Sequence, residues 1–199
     1  VDLDHFHPGL RDEHRARVRA ELGIPHAAPL ILFVGSGFER KGVPVLLRAL
    51  AGLARRDAHL VVVGKDREQK AAERLAQRLG VDQRVRFLGG QPDVRPYYGA
   101  ADVFCLPTLY DPMPNAALEA LACGLPIITS TTCGAAELVA ESAVGSVVDA
   151  RDVGGLALRL ADWCDTAPAP EAPRAAVGGL AIETMTGALL ALYRQHCPS

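Results

Sequence analysis

The chain has 199 residues, 49% of them hydrophobic and 22% charged, with a formal net charge of -2. That length suits one domain with flanking helices and enough apolar material for a sizeable core. The near-neutral balance argues against a polyanion as main partner, so no nucleic acid is expected, because a phosphate polymer is usually met by a basic face.

The longest apolar runs, 30–34 and 60–63, fall far short of a membrane span, and no basic-then-apolar leader opens the chain. The cysteines (Cys105, Cys123, Cys133, Cys164, Cys197) are scattered without a C-x-x-C pair, which reads as reduced thiols in a cytoplasmic protein. His5 and His7 are close in sequence, but nothing beside them completes a ligand set, so no metal is expected.

Residues 1–8 lack periodicity and read as a linker within a longer protein. Residues 11–22 form a polar amphipathic pattern closed by Gly23 and Pro25, which predicts a helix. Short β-rich runs follow at 30–34, 60–63, 85–88, 103–106, 126–129 and 144–148. Between and after them lie helical patterns at 43–56, 68–79, 94–100, 116–123, 135–141 and 153–164. Such alternation predicts an α/β domain: a Rossmann-like, doubly wound parallel sheet of about six strands with helices on both faces. Residues 166–173 are rich in proline and alanine and read as a surface loop, and 175–196 as a final helix. The chain thus divides into a linker and leading helix over 1–25, the Rossmann-like domain over 26–165, and a loop and C-terminal helix over 166–199.

Ligands of an open parallel sheet sit beyond the carboxyl ends of its strands, so the residues just after each strand carry the functional reading. After the first strand stand Gly35-Ser36-Gly37-Phe38-Glu39-Arg40-Lys41-Gly42. The small residues permit a sharp turn close to a ligand, and Arg40 and Lys41 could reach phosphate oxygens. The segment alone reads equally as a turn followed by two solvated cations, since it lacks the third glycine of a dinucleotide fingerprint and the ending of a P-loop. After the fourth strand, a loop holding Asp111 leads to a helix start near Pro114 and Asn115. Exposed N–H groups there suit a diphosphate. Glu119 lies roughly 6 Å further along that helix, too far in to cap it. It could accept from a ribose diol, or simply be a solvated helix residue.

Taken together these residues resemble a known family. The stretch from Asp111 to Glu119, followed by A-L-A-C-G-L-P-I, resembles the E-x7-E signature of GT-B-fold retaining glycosyltransferases of the family 4 type. Arg40-Lys41-Gly42 matches that family's R-K-G segment, and V-D-L-D-H-F-H-P resembles its interdomain linker. Gly35-Ser36, Phe38 and Thr132-Cys133-Gly134 resemble, more narrowly, bacterial lipopolysaccharide core glucosyltransferases. The resemblance implies that the chain is the donor-binding half of a GT-B fold, in an enzyme moving a hexose such as glucose from a UDP-linked donor to a glycan or glycolipid. It implies no cofactor beyond that nucleotide sugar. Arg40, Lys41 and Asp111 would be catalytic, the cations on the diphosphate and the carboxylate against the sugar. Gly35, Ser36, Met113, Asn115, Ala116 and Glu119 would hold diphosphate, sugar and ribose. Gly64 and Arg86, Phe87 and Leu88 would meet the base, mostly through backbone groups. Acceptor and any peripheral attachment to the inner face of the cytoplasmic membrane would belong to an amino-terminal domain, without which the fragment should transfer little sugar.

Two departures stand at the sugar end. Asp111 replaces the usual glutamate, and Pro112 brings no N–H where glycine is common. They leave room for a non-catalytic binding domain that pairs with an active subunit; a sugar-nucleotide epimerase is the other alternative.

Overall fold

The structure is a computed structural model describing residues 1–140, 144–166 and 169–196. Cys197, the expected helix end at Glu141 and residues 167–168 of the expected loop lie outside the described residues. Six parallel strands, β1 (Leu30–Val34), β2 (His59–Val63), β3 (Val85–Gly89), β4 (Val103–Leu106), β5 (Ile127–Ser130) and β6 (Gly145–Val148), form one sheet in the order β3-β2-β1-β4-β5-β6. The fold class is therefore the expected one, an α/β doubly wound sheet. Winding reverses between β1 and β4, which pair through Ile31 with Val103 and Leu32 with Phe104.

The central strands are apolar because both faces are covered. Every residue of β4 and β5 is buried, as are Leu30 to Phe33 of β1. Each Val, Leu, Ile and Phe side chain among them contributes about 1.5–3 kcal/mol relative to exposure. Helix α2 (Val43–Gly52) packs against α3 (Gln69–Arg78) and α7 (Val153–Asp165). Helix α4 (Arg95–Ala100) packs against α1 (Leu10–Glu21). Helix α5 (Asn115–Ala122) meets α8 (Glu171–Ala175), and α6 (Ala136–Ala140) packs on β6. Cys105, Cys123, Cys133 and Cys164 are free thiols; burial pushes Cys123 and Cys164 up to about 12.

Two sequence expectations need correction. The helix expected over 43–56 ends at Gly52, because Leu53 turns extended and Arg55 forks onto Asp57 at 3.1 Å through both arms. The segment read as a loop and one long helix is three pieces: α8, a 3-10 turn over Gly178–Leu180, and α9 (Ile182–His196). The Gly178-Gly179 pair, poor in any helix, marks the break, and Pro173 is buried where a surface loop was expected. Arg174 of α8 donates to the carbonyls of Leu3 (2.9 Å), Phe6 (2.9 Å) and Ala122 (3.0 Å), tying the amino-terminal segment to the end of α5. Helix α9 buries no residue and exposes Met185, Leu189, Leu192 and Tyr193. Among the described residues no helix is long and apolar enough to cross a membrane.

The leading helix is joined to the domain by charge. Asp102, just before β4, receives Arg19 at 2.6 Å, Arg15 at 2.8 Å and Arg11 at 3.1 Å, and also the Leu30 N–H at 2.9 Å. Arg19 is 1% exposed and spends its other donors on the carbonyls of Ala28 and Ala100. Burial alone would raise the Asp102 carboxyl, but Arg19 and Arg15 outweigh it and hold it below the usual range. A depressed carboxyl stabilises the fold above its unfolded pKa, and that stability is lost as pH falls through the folded value. Asp102→Asn should therefore cost about 3–5 kcal/mol in urea unfolding at pH 7, since it strands a buried guanidinium, and the gap to wild type should narrow toward pH 3.

Candidate functional site

The turn after β1 is pressed against the end of β4. Gly42 has φ of 82°, and a Cβ there would lie 2.1 Å from the Pro107 carbonyl oxygen, so only glycine fits. The contact lets the Arg40 carbonyl accept from the Leu109 N–H at 2.8 Å and the buried Thr108 hydroxyl at 3.2 Å. Gly64 approaches Gly35 as closely: an added Cβ would sit 2.0 Å from the Gly35 carbonyl oxygen. Gly35 N–H donates to Val63 and Gly64 N–H to Gly89, both at 2.8 Å, so the ends of β1, β2 and β3 are drawn together.

The small-residue turn does not offer all its N–H groups to a ligand. The Asp66 carboxylate already accepts from Gly37 and Phe38, the latter at 3.0 Å, and from Glu68 at 2.8 Å. Burial would raise this carboxyl; the N–H donors prevail and hold it below its ordinary value. Lys41 folds back over Gly35, whose missing Cβ would lie 3.1 Å from the ammonium. That ammonium stands 3.2 Å from the Asp111 carboxylate, and the Arg40 guanidinium 3.7 Å from the same oxygen. Lys41 and Asp111 are largely buried, whereas the Arg40 side chain is 51% exposed and also donates to the Tyr110 carbonyl. The Arg40–Asp111 pair is thus the weaker of the two.

Asp111 is fixed by backbone as well as by cations. Its N–H donates to Thr132 at 3.4 Å, and its carbonyl accepts from Gly134 at 2.9 Å. The Thr132 hydroxyl donates to the Thr108 carbonyl at 2.9 Å, and Ser130 donates to the same oxygen. These bonds join the loops after β4 and β5. Helix α5 then begins at Asn115 with Pro114 as its cap and no side-chain hydrogen bond to the first turn. The Ala117 N–H donates to the Pro114 carbonyl at 3.0 Å, so the N–H groups of Asn115 and Ala116, which a helix start does not satisfy internally, are the ones left for solvent or an anion.

One turn into α5, the Glu119 carboxylate accepts from the buried Tyr98 hydroxyl at 2.8 Å. Burial pushes the Glu119 carboxyl up, and the Tyr98 hydrogen bond opposes the rise. Glu119 borders a cleft of about 760 Å³ shared with Phe6, Met113, Asn115, Leu118 and Met185.

The structure therefore brings Arg40, Lys41 and Asp111 into one cluster, with Gly35 beneath the lysine and exposed Ser36 beside it. Met113, Asn115, Ala116 and Glu119 gather at the start of α5, and Gly64 and Leu88 lie at the strand ends. Phe87 is turned partly into the core, 6.3 Å from the Phe38 ring. The Arg86 side chain is not with them. It stands near the start of β3 and donates to the carbonyls of Leu22 (3.2 Å) and Gln83 (2.9 Å), which stitches β3 to α1. Sequence reasoning missed Asp66, Tyr98, Thr108 and Ser130. Small polar residues directly after a strand were the available signal for Asp66, Thr108 and Ser130; Tyr98 offered none.

Residues 14–176 match the family described as Glycosyl transferases group 1. The lipopolysaccharide core biosynthesis glycosyltransferase LpsE of Rhizobium meliloti (strain 1021) is 36% identical over 139 residues, covering 70% of this chain and 40% of its own. The lipopolysaccharide glucosyltransferase WaaG of Escherichia coli (strain K12) is 39% identical over 133 residues, covering 65% of this chain and 35% of its own. The chain thus spans well under half the length of these curated relatives. Among solved structures, Anabaena Alr3699/HepE in complex with UDP and glucose superposes with a TM-score of 0.87 at 22% identity, covering 98% of this chain and 55% of that one.

Gly134 tests how tightly the site loops are joined. A Cβ there would lie 1.7 Å from the Pro112 carbonyl oxygen, whereas one at Gly178 would meet nothing within 4 Å. Gly134→Ala should cost about 1–3 kcal/mol in denaturant unfolding, the range for overpacking, and Gly178→Ala should leave the midpoint near wild type.

Proposed function

Because this chain belongs to the Glycosyl transferases group 1 family, we propose that it is the donor-binding domain of a retaining glycosyltransferase, holding a nucleoside diphosphate sugar, UDP-glucose foremost. The observation that carries this reading is the cation pair of Arg40 and Lys41 fixed to the loop that leads into the uncapped start of α5. A diphosphate is the anion such an arrangement suits. Its oxygens would take charge-assisted hydrogen bonds from the guanidinium and the ammonium, and the leading N–H groups of α5 would meet the rest. Glu119, one turn further on, would accept from the ribose hydroxyls. The strand ends at Gly64, Phe87 and Leu88 would meet the base through backbone groups.

The chemistry follows from charge. As the bond between the anomeric carbon and the diphosphate oxygen lengthens, negative charge gathers on the diphosphate. Arg40 and Lys41 would stabilise that charge from fixed positions, at no reorganisation cost during the reaction. Asp111 would keep both cations aimed at the diphosphate and border the sugar. The acceptor would come from a further domain closing over this edge, and the relatives named for lipopolysaccharide core synthesis support a glycan or glycolipid in that role. UDP in the superposed Anabaena protein supports the choice of nucleotide.

Calorimetric titration with UDP, GDP and ADP tests the reading. UDP should bind with the highest affinity, and Lys41→Ala should weaken it roughly 10–100-fold, the scale of one hydrogen bond to a charged group. Glu119→Ala should weaken UDP while sparing inorganic pyrophosphate. Absence of binding to all three nucleotides at millimolar concentration would reject the proposal.

A further inference from the structure

Tyr98 sits on α4, outside every loop that borders the site, and its ring is 1% exposed. Phe6 packs edge-on against it at 5.8 Å and Phe104 at a tilt at 6.1 Å, so the ring has one place to stand. From there the hydroxyl reaches two acceptors on α5: the Glu119 carboxylate at 2.8 Å and the Ala116 carbonyl at 3.1 Å. A phenol has one proton to give, and the carboxylate is both the nearer and the charged acceptor.

We propose that Tyr98 is a positioning residue for nucleotide binding: its hydroxyl holds one oxygen of the Glu119 carboxylate and leaves the other to accept from a vicinal diol. The inference rests on the reading of Glu119 as the ribose acceptor. Without the hydroxyl, the carboxylate would be free to turn about its own side chain toward the open cleft. The hydroxyl also bears on the charge of the site. Burial works against the ionised carboxylate, and Tyr98 works for it, aided by His5 of the amino-terminal segment. Cys123, one turn further along α5, faces the same carboxylate, and its thiol is pushed up to about 12 and stays neutral. When Glu119 takes a proton, the Tyr98 proton can swing to the Ala116 carbonyl, and the phenol oxygen then accepts from the new carboxylic acid.

The sign of the pH effect follows. Binding that needs the carboxylate is complete above its pKa and is lost as pH falls through it. Removing the hydroxyl raises that pKa further, so the loss begins at a higher pH.

The test is UDP and inorganic pyrophosphate titration of wild type, Tyr98→Phe, Glu119→Gln and the double variant across pH 4.5–8. Tyr98→Phe should weaken UDP about tenfold at neutral pH, move the acid limb of its profile upward, and leave pyrophosphate affinity unchanged. In the Glu119→Gln background the same substitution should have little further effect. A Tyr98→Phe protein that binds UDP as wild type does, where Glu119→Gln does not, overturns the inference alone. A wild-type protein that binds pyrophosphate but not UDP overturns the reading beneath it as well. Should Tyr98→Phe fail to fold, the Tyr98 ring-carbon resonance of tyrosine-labelled wild type decides: it should move with the titration of Glu119, and the movement should vanish in Glu119→Gln. A resonance that ignores pH rejects the coupling.

Discussion

The contact of Gly42 with the Pro107 carbonyl governs where Arg40 and Lys41 stand relative to Asp111. It forces the turn after β1 against the end of β4 at the place where the sheet's winding reverses. The Arg40 carbonyl is then within reach of both Leu109 and Thr108, and the side chains of residues 40 and 41 emerge on the side where Asp111 lies. A larger residue at 42 would pull the turn from β4 and separate the cations from the loop that feeds α5. Backbone shape thus precedes charge here: the cations reach Asp111 because the main chain has already met.

Around that contact the protein satisfies its own anion-seeking groups unevenly. Two N–H groups of the turn, those of Gly37 and Phe38, are closed off by Asp66, while the start of α5 carries no side-chain cap. Two neighbouring sets of donors are treated in opposite ways, one made rigid and the other left open. The rigid set supports the lysine and arginine; of the open set, the Ala117 N–H turns back to the Pro114 carbonyl and those of Asn115 and Ala116 stay open among the described residues. A carboxylate at 111 balances the cations between these sets, and its shorter side chain, relative to the glutamate of the related family, still reaches both.

The sheet was legible because a buried parallel strand is written as a short apolar run, and the runs at 30–34 and 103–106 coincide with β1 and β4 to the residue. The meeting of Arg40, Lys41 and Asp111 was legible because all three follow strands whose carboxyl ends share one edge of the sheet. Less was readable wherever the partner is distant in sequence. The hydroxyl of Tyr98 lies 21 residues from Glu119, and Asp66 lies 28 from Phe38, so no local pattern links them. The course of the Arg86 side chain toward Leu22 and Gln83 was not readable, since periodicity gives the face of a side chain and not the end of the strand that it reaches. The break at Gly178-Gly179 was readable in principle, since paired glycines oppose a helix, yet the apolar spacing on either side masked it.

Arg174 has a mechanical consequence. One guanidinium grips the carbonyls of residues 3 and 6 with the last carbonyl of α5, so the amino-terminal strap and the helix that carries Glu119 move as one lever. Any force drawn along the strap arrives at the far end of α5 rather than dissipating in slack chain, and it would tilt the very helix whose opening turn faces the crevice.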